Sequence, residues 1–140
     1  MIYQTGSTRE TQMLARKLAR TYKSGGTIAL IGNLGAGKTT FVQGFAKGLG
    51  IKDKILSPTF VLVREYPLPN NKFGKFYHID LYRLDKQSEI DALGFDGLFA
   101  NSNNIILIEW AEKLKNLPSK AVSINFRHLS ETDREIMTKD

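Results

Sequence analysis

Eight consecutive residues, Gly32-Asn33-Leu34-Gly35-Ala36-Gly37-Lys38-Thr39, satisfy the pattern G-x-x-x-x-G-K-[ST]. Each type has a physical task in such a loop. A loop that wraps a chain of phosphates must turn its N–H groups inward, and glycines permit the φ values this needs. A helix opening near Lys38 aims the positive end of its dipole at the same anion. Lys38 supplies a point charge to the β- and γ-phosphates, and the Thr39 hydroxyl is a ligand for Mg²⁺. Leu34, Gly35, Ala36, Gly37, Lys38, Thr39 and Thr40 are the expected nucleotide-binding residues, with ATP or ADP and Mg²⁺ as the ligands. The Asn-Lys-x-Asp run that reads guanine in GTPases is absent from the sequence.

Acids at the ends of apolar runs complete the chemistry. Glu109 follows Ile105-Ile106-Leu107-Ile108. A carboxylate at the C-terminal end of a buried strand lies where α/β sheets place ligands, and there it holds Mg²⁺ or polarises the attacking water. Asp80 ends the run Phe76-Tyr77-His78-Ile79 and is a candidate second acid. His78, two residues earlier, lies on the same strand face and reads as structural. Ser57-Pro58-Thr59 offers hydroxyls between the loop helix and the next strand; from spacing alone it reads as a turn beside a proline. Trp110 is either a core residue or a lid on the nucleotide.

The surrounding elements must position these groups. Ser7-Thr8-Arg9-Glu10 fits a capping box, and Leu14, Ala15, Leu18, Ala19 and Tyr22 continue at helical spacing until Gly25-Gly26. Thr27–Ile31 is a short apolar run between glycines and predicts a buried strand. Lys38–Leu49 predicts a helix, with Phe41, Val42, Phe45, Ala46 and Leu49 on one side. Phe60–Tyr66 and Phe76–Leu81 predict an antiparallel hairpin across the Pro-, Asn- and Gly-containing segment Pro67–Lys75. Ser88–Leu93 predicts a short helix, Ile105–Ile108 and Ala121–Phe126 two further strands, and Glu135–Met137 one short strand. This alternation predicts an α/β fold, a three-layer sandwich like that of P-loop NTPases, with a mostly parallel central sheet and an added antiparallel hairpin.

Composition sets the remaining bounds. The 140 residues predict one domain, 1–140, with 128–140 as a short polar tail. Cysteine is absent, so a disulfide framework and a thiolate metal site are excluded. No apolar run approaches the ~20 residues of a membrane span, and the expected location is the cytoplasm. The net charge of +6 is unevenly distributed: residues 1–75 carry 12 basic and 3 acidic side chains, residues 76–140 carry 8 and 11. A basic half suits a phosphate-bearing partner, from nucleotide to RNA.

In this order the motifs resemble the TsaE (YjeE) family of small bacterial P-loop ATPases. The likeness runs through Gly32–Phe41, Ser57-Pro58-Thr59-Phe60, His78-Ile79-Asp80-Leu81-Tyr82-Arg83-Leu84 and Ile108-Glu109-Trp110, and covers roughly residues 5–127. The resemblance implies a role in forming N6-threonylcarbamoyladenosine (t6A) at position 37 of tRNAs that read codons starting with A. It implies two protein partners, TsaD and TsaB, with tRNA met through their complex and ATP hydrolysis supporting turnover. By position it implies Lys38, Asp80 and Glu109 as catalytic residues, Thr39 and Glu109 as the Mg²⁺ site, and Thr59 as a switch residue. It brings Thr8 and Thr11 towards the base or ribose, and Arg134 towards the nucleotide. Asn33 stands where that family often has Asp, and Ala111 where Pro often follows Glu-Trp. Two other readings share the loop: a small-molecule or nucleotide kinase, for which no lid segment is visible, and a nucleotide-gated binding module with negligible hydrolysis.

Overall fold

The structure is a computed structural model, and it describes residues 1–33, 37–55 and 63–139. Among these residues seven strands form one mixed sheet in the order β1-β7-β6-β2-β5-β4-β3. Its middle is parallel: β2 (Gly26–Ile31) lies between β5 (Ile105–Glu109) and β6 (Val122–His128), and β4 (Lys75–Asp80) extends the parallel set beyond β5. Antiparallel strands close both flanks. β3 (Val63–Pro67) pairs with β4; β7 (Arg134–Lys139) pairs with β6, and β1 (Ile2–Thr5) with β7.

The strand residues divide by parity, as the pleat requires. Ile28, Leu30, Phe76, Ile105, Leu107, Ile124 and Phe126 face α1 (Thr8–Ala19) and α2 (Lys38–Gly48), where Ala15, Ala19, Phe41, Val42 and Phe45 are fully buried. Ala29, Ile79, Ile106 and Ile108 face the other way, against Phe95 and Ala111. That second side carries α3 (Gln87–Asp91), α4 (Asp96–Ala100) and a 3-10 turn at Ala111–Lys113. The three-layer α/β sandwich and the added hairpin are therefore as expected. Because β2 and β5 are covered on both faces, they read as continuous apolar runs rather than alternating ones.

The two helices of the first layer are parallel and very close. A Cβ on Gly44 would fall 2.3 Å from the Gln12 carbonyl oxygen, and one on Gly48 would fall 2.5 Å from that of Arg16. This pairing of 12 with 44 and 16 with 48 means that the two helices run in the same direction. Both helix N-termini thus open at the same end of the sheet. α1 begins as the capping box requires, with Glu10 N–H donating to Ser7 Oγ at 3.1 Å.

Three elements differ from expectation. β1 and α4 were not expected, and the strand at Glu135–Met137 is longer, running from Arg134 to Lys139. Residues 128–140 are accordingly not only a polar tail: they complete β6 and supply a strand that bonds to both β6 and β1. Ile136, its one fully buried side chain, joins the core under α1 and α2. The predicted strand start at Phe60 lies outside the described residues; among those described, β3 begins at Val63. Among the described residues no helix is long and apolar enough to cross a membrane.

Candidate functional site

β2, β4 and β5 all end at the edge of the sheet where α2 begins, and the predicted polar residues meet there. Gly32 leaves β2 with φ +155°, and a Cβ on it would lie 2.7 Å from the Phe126 carbonyl oxygen. Gly37 caps α2 in the left-handed region, with φ 97°, and has no side chain to bond to that end of the helix. A left-handed residue at the helix entrance keeps the first-turn N–H groups aimed into the loop, which is the geometry of an anion cradle. Leu34, Gly35 and Ala36, expected to line it, lie outside the described residues, as does Thr59 with Ser57 and Pro58.

Lys38 is 4% exposed. Its Nζ donates to the Gly32 carbonyl oxygen at 2.6 Å and stands 3.8 Å from the centre of the Trp110 ring. Burial holds its pKa below the ordinary lysine value, while the nearby carboxylates, Glu109 foremost, oppose that shift. The ammonium is thus partly dehydrated and bonded to a neutral carbonyl, which an incoming phosphate can replace with a stronger, charge-assisted partner. Trp110 holds φ 60°, unusual for a side chain of this size, and its ring also meets that of Tyr82 at 5.2 Å. Trp110 is therefore neither simply core nor simply lid: it fringes the second core and lies against the lysine.

Glu109 is 3% exposed and fully engaged. Thr39 Oγ1 lies 3.1 Å from each of its carboxylate oxygens, and His78 Nε2 lies 2.5 Å from Oε2. Asp80 pairs in register with Glu109 across β4 and β5, so their side chains share one face. Burial raises the pKa of Asp80, the neighbouring Glu109 adds to this, and the Tyr82 N–H, which donates to Oδ1 at 3.0 Å, opposes it. Among the described residues no three His, Asp or Glu side chains form a ready-made metal cage. A divalent cation here would take the Thr39 hydroxyl and the Glu109 carboxylate, with the remaining ligands from phosphate and water, the usual arrangement for Mg²⁺. The donor set is hard oxygen throughout and fits that ion.

Thr8 and Thr40 each lie in the first turn of their helix, α1 and α2, at this end of the sheet. Thr11 is buried, and its hydroxyl is 2.7 Å from that of Thr5. Arg134 lies alongside Gly37, its Nε 3.9 Å from the place of a Cβ there, and its guanidinium donates to the Ser130 and Asp133 carbonyl oxygens at 3.0 Å. Arg64 stands opposite His78 in the β3–β4 register. The residue that sequence reasoning undervalued is His78. Its ring is completely buried, and its bond to Glu109 ties β4 to β5 diagonally. The signal available was parity alone: His78, Asp80 and the preceding Phe76 alternate onto one face.

An α/β sheet with a glycine-rich loop and helix at its carboxyl edge defines the class of P-loop proteins. The family model described as "Threonylcarbamoyl adenosine biosynthesis protein TsaE" matches residues 5–136. The tRNA threonylcarbamoyladenosine biosynthesis protein TsaE of Bacillus subtilis is 38% identical over 135 residues, covering 96% of this chain and 82% of the relative. That of Haemophilus influenzae is 43% identical over 100 residues, covering 70% and 60%. The crystal structure of YdiB from the same Bacillus superposes with a TM-score of 0.77 at 34% identity, covering 97% of this chain and 82% of that one. The chain belongs to the TsaE family of tRNA threonylcarbamoyladenosine biosynthesis proteins.

Proposed function

We propose that this chain binds ATP with Mg²⁺ at the junction of β2 and α2, hydrolyses it slowly, and through that cycle supports t6A formation on tRNA in the cytoplasm together with TsaD and TsaB. The observation that carries the reading is the meeting of buried Lys38 and Glu109 with half-buried Thr39 and Asp80 at one edge of the sheet. Lys38 neutralises the β- and γ-phosphates, and the helix entrance at Gly37 offers N–H groups to the same oxygens. Thr39 and Glu109 hold the cation, whose contribution when bound is to neutralise charge on the transferring phosphoryl group. Asp80, its carboxyl pKa raised by burial, sits beside Glu109 where it can orient a water and accept its proton. Thr59 acts as the switch that reports the γ-phosphate, and Thr8 and Thr40 flank the nucleotide at the paired helix entrances. Thr11 supports this entrance from below through its bond to Thr5.

Two arginines support the slow turnover in this reading. Arg64 lies on a strand, not on a loop that reaches a γ-phosphate, and Arg134 is fastened to the carbonyls of its own turn. An arginine finger is worth ~10³–10⁵ in rate, so a partner that supplies such a group, or that fixes the switch segment, accelerates hydrolysis. The test is ADP release by the chain alone and with purified TsaD–TsaB. The pair should raise turnover and co-elute with the chain in ATP, and Lys38→Ala should lose hydrolysis about 100-fold or more. Rapid hydrolysis by the lone chain that ignores the pair, or an active Lys38→Ala variant, rejects this reading.

A further inference from the structure

The excess positive charge of the first half of the chain is not used by the nucleotide site. α1 and α2 both point their C-termini to the opposite end of the sheet, where β2, β4 and β5 begin. Close contacts gather four segments there. A Cβ on Gly25 would meet the Ser102 carbonyl oxygen, one on Gly74 that of Asn103, and one on Gly50 lies 3.5 Å from the Pro69 ring. Arg20, Lys23, Lys47, Lys52, Lys54 and Lys72 stand on this end and are all exposed. None of the six forms an ion pair with another described residue. Asp53 is the acid that interrupts the run in sequence.

One loop at this end is unusually well built. Asn71 Oδ1 accepts from Phe73 N–H at 3.0 Å, Asn101 Nδ2 donates to the Phe73 carbonyl at 3.0 Å, and Asn104 Oδ1 accepts from Lys75 N–H at 3.0 Å. These bonds hold both sides of Phe73, yet the residue is 69% exposed. Lys72 Nζ lies 5.4 Å from the ring centre, and a cleft of about 540 Å³ opens beside it, bounded by Asn71, Tyr77 and Asn101. An aromatic ring that is pinned by its backbone and left in water is a poor contributor to folding. Its geometry is that of a stacking platform, prepaid in conformational entropy.

We infer that this basic end is an RNA-binding surface: the lysines and Arg20 track the phosphate backbone, and Phe73 stacks on an unpaired base. The inference rests on the family's tie to tRNA modification and adds a direct contact between this chain and RNA. RNA fits better than a protein partner because the end offers dispersed cations around a single ring, whereas protein hot spots need clustered apolar anchors. The surface lies roughly 20 Å from the nucleotide loop, the length of β2 at ~3.3 Å per residue, so the two sites can be tested apart.

The experiment is binding of a transcribed, fluorescently labelled tRNA to the full chain by anisotropy, between about 50 and 200 mM salt. Affinity should fall steeply with salt. Combined Lys52→Ala, Lys54→Ala and Lys72→Ala should weaken binding about tenfold or more at low salt and reduce the log–log salt slope by about two. Phe73→Leu should weaken it about fivefold or more with the slope unchanged. ATP hydrolysis and Tm should stay at the parent level in both variants, while Lys38→Ala should keep its RNA affinity. Loss of hydrolysis in Lys38→Ala with RNA binding intact tests the nucleotide reading alone. Undetectable RNA binding by a folded chain overturns the inference, as does binding that ignores these substitutions. Loss of TsaD–TsaB association in the variants, with RNA affinity unchanged, also overturns it and assigns the surface to protein instead.

Discussion

The two ends of the parallel strands differ in how they treat charge. At the carboxyl end Lys38, His78 and Glu109 are buried and bonded to one another's neighbours, so each group's position is set by the next. At the amino end Arg20, Lys23, Lys47, Lys52, Lys54 and Lys72 stand in water without an ion pair among the described residues, and order is supplied by neutral amides, Asn71, Asn101 and Asn104. Buried charge fixes geometry but is costly when a partner is lost. Exposed charge leaves stability almost unchanged and retains its reach towards a polyanion. One end is made to hold a small ligand in one pose, the other to meet a large one.

The sharpest break of this contrast comes from the backbone, where both ends are equally intolerant. Gly25 holds φ +114° with the Ser102 carbonyl oxygen 1.9 Å from where a Cβ would sit; Gly32 holds φ +155° with the Phe126 carbonyl oxygen at 2.7 Å. Neither obstacle is a flexible side chain. Gly25→Ala and Gly32→Ala should each cost about 3 kcal/mol or more, seen as a Tm lower by ~10 °C. Gly94, at φ +64° with nothing within 4 Å, is the comparison: its alanine variant carries only the backbone term, about 1 kcal/mol. Equal losses at all three positions would show that crowding at the two ends matters less than φ.

The side chains should separate the ends. His78→Ala leaves the Glu109 carboxylate with the Thr39 hydroxyl alone, among the described residues, as its side-chain donor and opens a cavity, a loss of about 2–4 kcal/mol in stability. His78→Gln should recover a good part, because its amide nitrogen reaches close to the place of Nε2. At the other end Lys52→Ala, Lys54→Ala and Lys72→Ala should each fall within about 0.5 kcal/mol of the parent. Chemical denaturation of the five variants beside the parent decides this; a lysine variant as damaging as His78→Ala would place hidden structure in the basic end.

Legibility in the sequence follows the same division. The glycine-rich loop, α2 and β5 were readable because local pattern and tertiary role agree: two glycines where φ is positive, then an apolar helical stripe, then a strand buried on both faces. The capping box at Ser7 was readable for the same reason. β1 was not, because Ile2–Thr5 is a four-residue edge strand whose only signal is its pairing with β7, at the far end of the chain. β7 was underestimated because Arg134, Glu135 and Lys139 dilute its apolar pattern on a flank with limited burial. The bond between His78 and Glu109 needed the β4–β5 register, which no single segment contains. The basic end was visible as a charge excess, but the fold alone gathers its four segments.

The smallest effect concerns Asp80, and it tests whether the carboxyl end is strained by its own acids. Folding raises the pKa of this carboxyl, chiefly through burial, with Glu109 adding to the effect. The ionised form is therefore the one that folding disfavours. A raised pKa in the folded state contributes stability that is present below the ordinary carboxyl pKa of ~3.9 and is lost as pH rises through the folded value. Asp80→Asn removes this titration while keeping an oxygen acceptor for the Tyr82 N–H. Parent and variant should then melt together near about pH 3.5, and the variant should melt higher, by a few degrees at most, at neutral pH. The same substitution should slow ATP hydrolysis more than it weakens nucleotide binding, because Lys38 and the helix entrance still hold the phosphates. Melting curves from acid to neutral pH, set beside turnover, give both readings from one variant. A variant that melts below the parent at neutral pH would mean that the Asp80 carboxylate stabilises the fold, and the contrast between a strained site and a relaxed basic end would fail at its most exposed acid.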